Sequence, residues 1–205
     1  MSNYLAPATL TSVLKEIIQE AISVVPGAAV KVGRPSQDKH FVGVYMYLYQ
    51  VTPNTALSNN SLPTRSSQGV ITEIPQTAVD LNYVFSFYGE TDLASERMMG
   101  AVISILNAYP FLTSAQINRA IEKNSFLKGS DLEQQVERVK LSPVFMSLEE
   151  LSKLWTVFFQ VSHRVALVYQ ASVLLIDAEA SPQKALPVDQ VSSSMKLKPS
   201  PKLDR

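Results

Sequence analysis

Two histidines and two close carboxylate pairs are the residues best equipped for chemistry in this 205-residue chain. Histidine titrates near neutrality, so it can move a proton or hold a metal ion. Neither His40 nor His163 has a partner at metal-ligand spacing. His163 falls at the mouth of a strand beside Arg164; an ordinary strand-end histidine is the plain reading, a catalytic or ligand role the sharper one. Glu149 and Glu150 open a helix, where negative charge is favourable without any catalytic duty. Glu133 and Glu137 flank a strand with Arg138 and Lys140 and read as a solvated charge pattern. Neither pair shows the burial cue that drives the pKa values of an acid and a base apart.

The motif search runs the same way. The chain contains no G-x-x-x-x-G-K-[ST], no G-x-G-x-x-G after a strand, no H-E-x-x-H and no G-x-S-x-G. It has no cysteine, which excludes disulfides and thiolate metal sites and fits a reducing compartment. A site assembled from scattered residues stays open, but the expectation is a protein that is not an enzyme and needs no cofactor or metal. Eighteen basic and eighteen acidic residues cancel, which argues against a nucleic-acid binder that relies on a positive field. Tyr45, Tyr47 and Tyr49 alternate as a base-stacking strand would, yet such platforms interleave Arg or Lys, and this strand has neither. Core or subunit-interface packing is the better reading. No stretch approaches the roughly 18 apolar residues that span a bilayer. The start, "MSNYLAPATLTSVLKEI", lacks the basic and apolar regions of a secretory signal, so a cytoplasmic location is expected.

The elements that would position these residues follow from periodicity. Ala8 to Val25 repeats apolar residues every three or four positions and reads as a helix ended by Pro26-Gly27. A short strand at Val30 to Val32 and a long one at Phe41 to Val51 follow. The second is apolar on both faces, so it should be covered on both sides, by helices or by a neighbouring subunit. Thr52 to Gln76 is rich in Ser, Asn, Thr and Pro and has no sustained period. Connections longer than about 12–15 residues are functional or disordered, and this one is a candidate contact arm. Thr77 to Gly89 alternates, with Val79, Leu81, Tyr83, Phe85 and Phe87 on one face and Asp80, Asn82 and Ser86 on the other. Helices are expected over Asp92 to Ala108, where Leu93 counts toward the apolar face, and over Ser114 to Lys123. A strand is expected near Gln135 to Leu141, ahead of Pro143.

Ser147 followed by Glu150 matches a capping box. Leu148, Leu151, Leu154, Trp155, Phe158 and Phe159 then form an apolar stripe, either a core helix closing over a sheet or a stripe with part of Trp155 and Phe159 reserved for a partner. The last strand runs from Arg164 to Asp177, with Val165, Leu167, Tyr169, Ala171, Val173 and Leu175 on one face. The order predicts an α+β domain over 1–180, one mainly antiparallel sheet packed by helices, with the contact loop at 52–76. Residues 181–205, Pro-, Ser- and Lys-rich, read as an extended C-terminal tail that cannot bury enough surface to fold alone.

The run "LPTRSSQG", "PQTAVDLNYVFSFYG", "ERMMGAVISILNAYPFLT", "DLEQQVERVKLSPVFMSLEELSKLWTVFFQ" and "HRVALVYQASVLLIDAE" resembles the cap, or tail-terminator, proteins of phage-tail-like contractile injection systems, over roughly Ala8 to Glu179. The matching positions include Leu62, Pro63, Thr64, Arg65, Pro75, Leu81, Tyr83, Tyr88 and Gly89. Further along they include Glu150, Leu151, Lys153, Leu154, Trp155, Tyr169 and Gln170. The resemblance implies a tail-terminator-like fold and a homohexameric ring on the end of the inner tube. That ring would stop tube growth and anchor the last sheath layer, without enzymatic activity or cofactor. Its partners would be the tube and sheath proteins, in a cytoplasmic particle that is tethered or released.

Aromatic residues and Arg are the usual interface anchors, and ring closure needs two different sticky patches per subunit. Candidate interface residues are therefore Asn54, Leu62, Arg65 and Ile71 in the arm, Tyr45 and Tyr47, Trp155 and Phe159, and Lys196 and Lys198 in the tail. The tail could brace a neighbouring subunit, touch sheath, or make a peripheral membrane contact. The other readings are a phage tail terminator or adaptor, a ligand- or nucleic-acid-binding module, and an unrecognised hydrolase.

Overall fold

The computed structural model describes residues 2–36, 38, 40–57, 76–135, 137–158 and 161–178. Helix α1 spans Ala6–Ala21 with Pro7 in its first turn, where a missing N–H costs nothing. Its buried stripe is Leu10, Val13, Leu14, Ile17 and Ile18, the spacing of one helical face. A 3-10 turn, Ile22–Val24, and Gly27 at φ 76° redirect the chain into β1, Ala29–Val32. Strand β2 is Gly43–Pro53 and β3 is Gln76–Tyr88. Helices α2, Ala94–Ala108, and α3, Ser114–Lys123, follow, then β4, Lys140–Pro143, α4, Leu148–Val157, and β5, Ala166–Asp177.

The five strands lie in the order β1-β2-β3-β5-β4. Among the described residues the short β1–β2 pair is the parallel one; β2–β3, β3–β5 and β4–β5 are antiparallel. The expected α+β architecture with a mainly antiparallel sheet is what forms. The larger core joins α1, α2 and α3 to one face of the sheet through Val44, Met46, Leu81, Tyr83, Phe85 and Phe87. A second cluster on the opposite face joins Val84 and Val168 to Trp155 and Phe158. Cover on both faces explains the doubly apolar β2 and the burial of both faces of β3.

Several expectations shift. The strand expected near Gln135–Leu141 starts only at Lys140 and takes in Pro143, because Gln135 uses its side chain as a strand mimic instead. Its Oε1 accepts from Leu175 N–H at 3.0 Å and its Nε2 donates to Val173 O at 2.8 Å. Glu133 sits in a 3-10 turn, Leu132–Gln134, so the supposed strand-flanking pair does not flank one strand. Leu93 stands outside α2 at φ 62° and is exposed. In β5 the pairing steps from Val79↔Leu174 to Leu81↔Ala171, a bulge that places two β5 residues opposite one. Beyond Ala171 the core face passes to Leu174 and Ile176, and Val173 and Leu175 are not on it.

Tyr83 carries a testable consequence. It is 1% exposed, its hydroxyl lies 2.8 Å from Thr11 Oγ1, and burial pushes its pKa up to about 12. The folded state holds the phenol proton that the unfolded chain releases above pH 10, so this stability is full below pH 10 and lost as pH rises toward 12. The expected loss is about 2–3 kcal/mol over that interval. Urea unfolding at pH 9 and 11.5 checks it: Tyr83→Phe should remove that part of the alkaline slope, and an unchanged slope would assign it elsewhere.

Candidate assembly interface

The long connection leaves and re-enters the sheet at fixed points. Asn54 Nδ2 donates to both oxygens of the largely buried Asp80 carboxylate at 3.0 and 3.2 Å, and Gln170 Nε2 approaches the same group at 3.5 Å. Asn54 Oδ1 accepts from the N–H groups of Ala56 and Leu57, turning the chain as it leaves β2. At the other foot Gln76 Nε2 donates to Asp177 Oδ1 at 2.8 Å. Both feet of segment 58–75 are thus tied to strands. Leu62, Arg65 and Ile71 lie outside the described residues, as do Phe159, Lys196 and Lys198.

The remaining candidates are engaged within the subunit. Tyr45 is 4% exposed; its ring lies 4.5 Å from Phe41 and 5.2 Å from Tyr88, and its hydroxyl 2.6 Å from Ser36 Oγ. The Lys31 ammonium stands 4.4 Å over the Phe41 ring. Tyr47 meets Phe158 edge-on at 5.4 Å, and Phe158 meets Trp155 at 5.3 Å. Trp155 is buried against the sheet, and its indole N–H has no hydrogen-bond partner among the described residues. The capping box on α4 forms as expected: Glu150 N–H donates to Ser147 Oγ, and Ser147 N–H donates to Glu150 Oε2 at 2.8 Å. That N–H holds the Glu150 carboxyl below the usual carboxylate range.

His40 is exposed and His163 packs 5.2 Å from the Trp155 ring. Among the described residues no group of three or more His, Asp or Glu is close enough to hold a metal ion, and no helix is long and apolar enough to cross a membrane.

The sheet edges are largely closed to strand addition. On β4, Leu141 N–H donates to Pro110 O at 2.7 Å, Val139 O accepts from Leu112 N–H at 3.1 Å, and Pro143 has no N–H to offer. On β1, Val30 N–H donates to Gln19 Oε1 at 2.8 Å and Ala28 O accepts from Gln19 Nε2 at 3.0 Å. Joining two sheets edge to edge would displace these bonds.

The apolar surface that periodicity missed lies beside β4. Phe145 is 91% exposed and Leu148 80%; Ile103, which lines the same groove as Phe145, and Phe111, bridged to Lys140 of β4, are also exposed. Leu148, expected on the buried stripe, sits at the first position of α4 and is not packed on the sheet. Val144 and Met146 of the apolar run Val144-Phe145-Met146 pack against the Trp155 cluster, and Phe145 between them points out to solvent. Concentrated apolar exposure of this kind marks contact surfaces.

The family model of the Pvc16 N-terminal domain matches residues 8–190. The chain belongs to the Pvc16 N-terminal domain family. A search of curated proteins returned no match. Two solved structures share the fold of this Pvc16 N-terminal domain. One is the sheath/tube terminator of PVC, an extracellular contractile injection system, in the extended state; identity is 15%, TM-score 0.61, with 95% of this chain and 65% of that chain covered. The other is the tube-terminating cap of the anti-feeding prophage; identity is 13%, TM-score 0.59, with 91% and 60% covered. The Pvc16 N-terminal domain chain thus spans less than two thirds of either solved chain.

Proposed function

We propose that this protein is the structural cap of a contractile injection system. Copies of the chain form a homohexameric ring on the end of the inner tube, stop its growth and anchor the last sheath layer. The observation that carries this reading is family membership across residues 8–190, joined to a fold shared with two tube terminators. The role is mechanical, without turnover, cofactor or nucleic acid, in a particle assembled in the cytoplasm.

The geometry supports it in two ways. Segment 58–75 is held at both feet by polar contacts to strands, so a contact it makes outside the subunit transmits force to the sheet. The apolar surface at Phe145 and Leu148 sits beside β4, at the opposite sheet edge from β1, and closed edges direct assembly to such side-chain surfaces.

Light scattering with negative-stain images of the same peak tests the ring, and incubation with purified inner tubes tests end binding. Hexameric rings seated on tube ends are expected. A monomer that also ignores tube ends rejects the reading. Replacing 58–75 with a short Gly-Ser linker should abolish rings while leaving the far-UV spectrum and melting midpoint intact; unchanged rings would remove the arm from the interface.

A further inference from the structure

The two contact points proposed above meet the sheet at opposite ends of its strands. Strand β2 ends at Pro53 and β3 begins at Gln76, so both feet of 58–75 lie at one end. Strand β4 starts on that side with Lys140 opposite Ser172, then passes Pro143 opposite Tyr169 and runs on toward Phe145. We infer that the sheet is a directional mechanical link. It resists tension between the feet of 58–75 and Phe145 in shear, and yields far more readily to a force that parts β3 from β5 at the feet. The inference rests on the assembly reading, which makes these two places the points where neighbours pull.

Geometry sets the direction. Ile176 of β5 lies opposite Thr77, and Val168 O accepts from Val144 N–H at 2.9 Å. These two β5 residues are eight positions apart, about 26 Å at strand rise. Across the sheet, β3 and β4 are separated by two strand spacings, about 10 Å, with β5 between them. A line from the feet to Phe145 therefore runs mostly along the strands. Ladder bonds lie perpendicular to antiparallel strands, so a pull along the strands strains every pair of a ladder together. A pull across them breaks the pairs one at a time.

The ladders suit the shear direction. The β3–β5 ladder holds ten pairs, from Gln76↔Asp177 to Ser86↔Ala166. Strand β4 offers four pairs to β5, and it is bonded on its other side as well: Leu141 N–H donates to Pro110 O at 2.7 Å and Phe111 bridges Lys140. Side chains join both feet to the same ladder. Gln76 Nε2 donates to Asp177 Oδ1, and Asn54 Nδ2 donates to the Asp80 carboxylate that Gln170 of β5 also approaches. A force that parts β3 from β5 at this end meets Gln76↔Asp177 first and alone.

The cysteine-free chain accepts handles at chosen points. In the full chain Thr77→Cys is combined with Phe145→Cys for shear, or with Ala178→Cys for unzipping of the same β3–β5 ladder; all three positions are exposed. Single molecules are pulled between DNA handles in optical tweezers. The 77/145 pair should open at a force severalfold above that of the 77/178 pair. Ser142→Pro, which removes the N–H of the β4 residue paired with Gln170, should lower the 77/145 force. It should leave the 77/178 force unchanged, which also shows that the fold survives. Equal forces for the two pairs, or a 77/145 force that Ser142→Pro does not move, overturn the inference. Each pull is on one subunit, so a chain that forms no ring still decides it, and failure of the assembly reading is a separate result.

Discussion

Gly43→Ala is expected to lower the stability of the folded subunit by about 3–5 kcal/mol. Gly43 opens β2 and pairs with Ala29 of β1 in the parallel register. Its φ is +141°, a region that side-chain-bearing residues rarely adopt, and a Cβ built there would lie 1.9 Å from Ala29 O and 2.7 Å from Ala29 N. Both obstacles are backbone, so no rotamer change relieves them. Strain of this kind costs about 1–3 kcal/mol and forced overpacking a similar amount again. Against a usual domain stability of about 5–15 kcal/mol, that is a large fraction. Urea unfolding followed by circular dichroism measures it, with Gly100→Ala as the contrast. Gly100 lies in α2 with nothing among the described residues within 4 Å of a new Cβ, so alanine there should add about 0.5–1 kcal/mol. A Gly43→Ala midpoint within error of the parent would show that β1 moves freely against β2.

Phe158→Ala should cost a comparable 3–5 kcal/mol, the usual range for a buried phenylalanine. Phe158 is fully buried just past the end of α4, between Tyr47 on the sheet and Trp155 on the helix. Helix α4 has ten residues, below the roughly 12–15 at which a helix is stable alone in water, so packing must hold it. Losing Phe158 removes one of the two buried side chains through which it grips Val84 and Val168. Trp155 is the chain's single tryptophan, so its emission reports this face directly. A red shift at low denaturant, ahead of the main transition, is the expected signature. Unshifted emission with a parent-like midpoint would mean that Trp155, with Leu151 and Leu154, holds the helix without Phe158.

The two effects mark where residue patterns carried the structure and where they stopped. The capping box at Ser147 and Glu150, helix α3 over Ser114–Lys123 and the stripe of α1 were legible because each is settled within one or two helical turns. The doubly apolar β2 correctly implied cover on both faces, and the cover turned out to be helices of the same subunit. Alternation misled at the bulges. The β2–β3 pairing steps from Leu48↔Tyr83 to Gln50↔Asn82, so Tyr49 is the extra residue and Gln50 and Thr52 turn to the face of Tyr45 and Tyr47. A period-two pattern cannot announce such a step, because an unpaired residue is defined by the partner strand. The same limit applies to Asp80, whose carboxylate reads as an exposed strand residue until Asn54, just past β2, and Gln170 of β5 meet it.

For the assembly surface the division is similar. The long polar connection, the absence of catalytic motifs and the family-bearing segments stand in the linear chain, since composition and residue order need no fold to be read. That Tyr45, Tyr47 and Trp155 are occupied inside the subunit, that Gln19 and the 110–112 segment close the sheet edges, and that Phe145 and Leu148 remain in solvent were decided by tertiary structure. The reason is physical: exposure and edge pairing depend on which distant segment packs on a surface in the folded state, and one-dimensional periodicity carries no term for that competition.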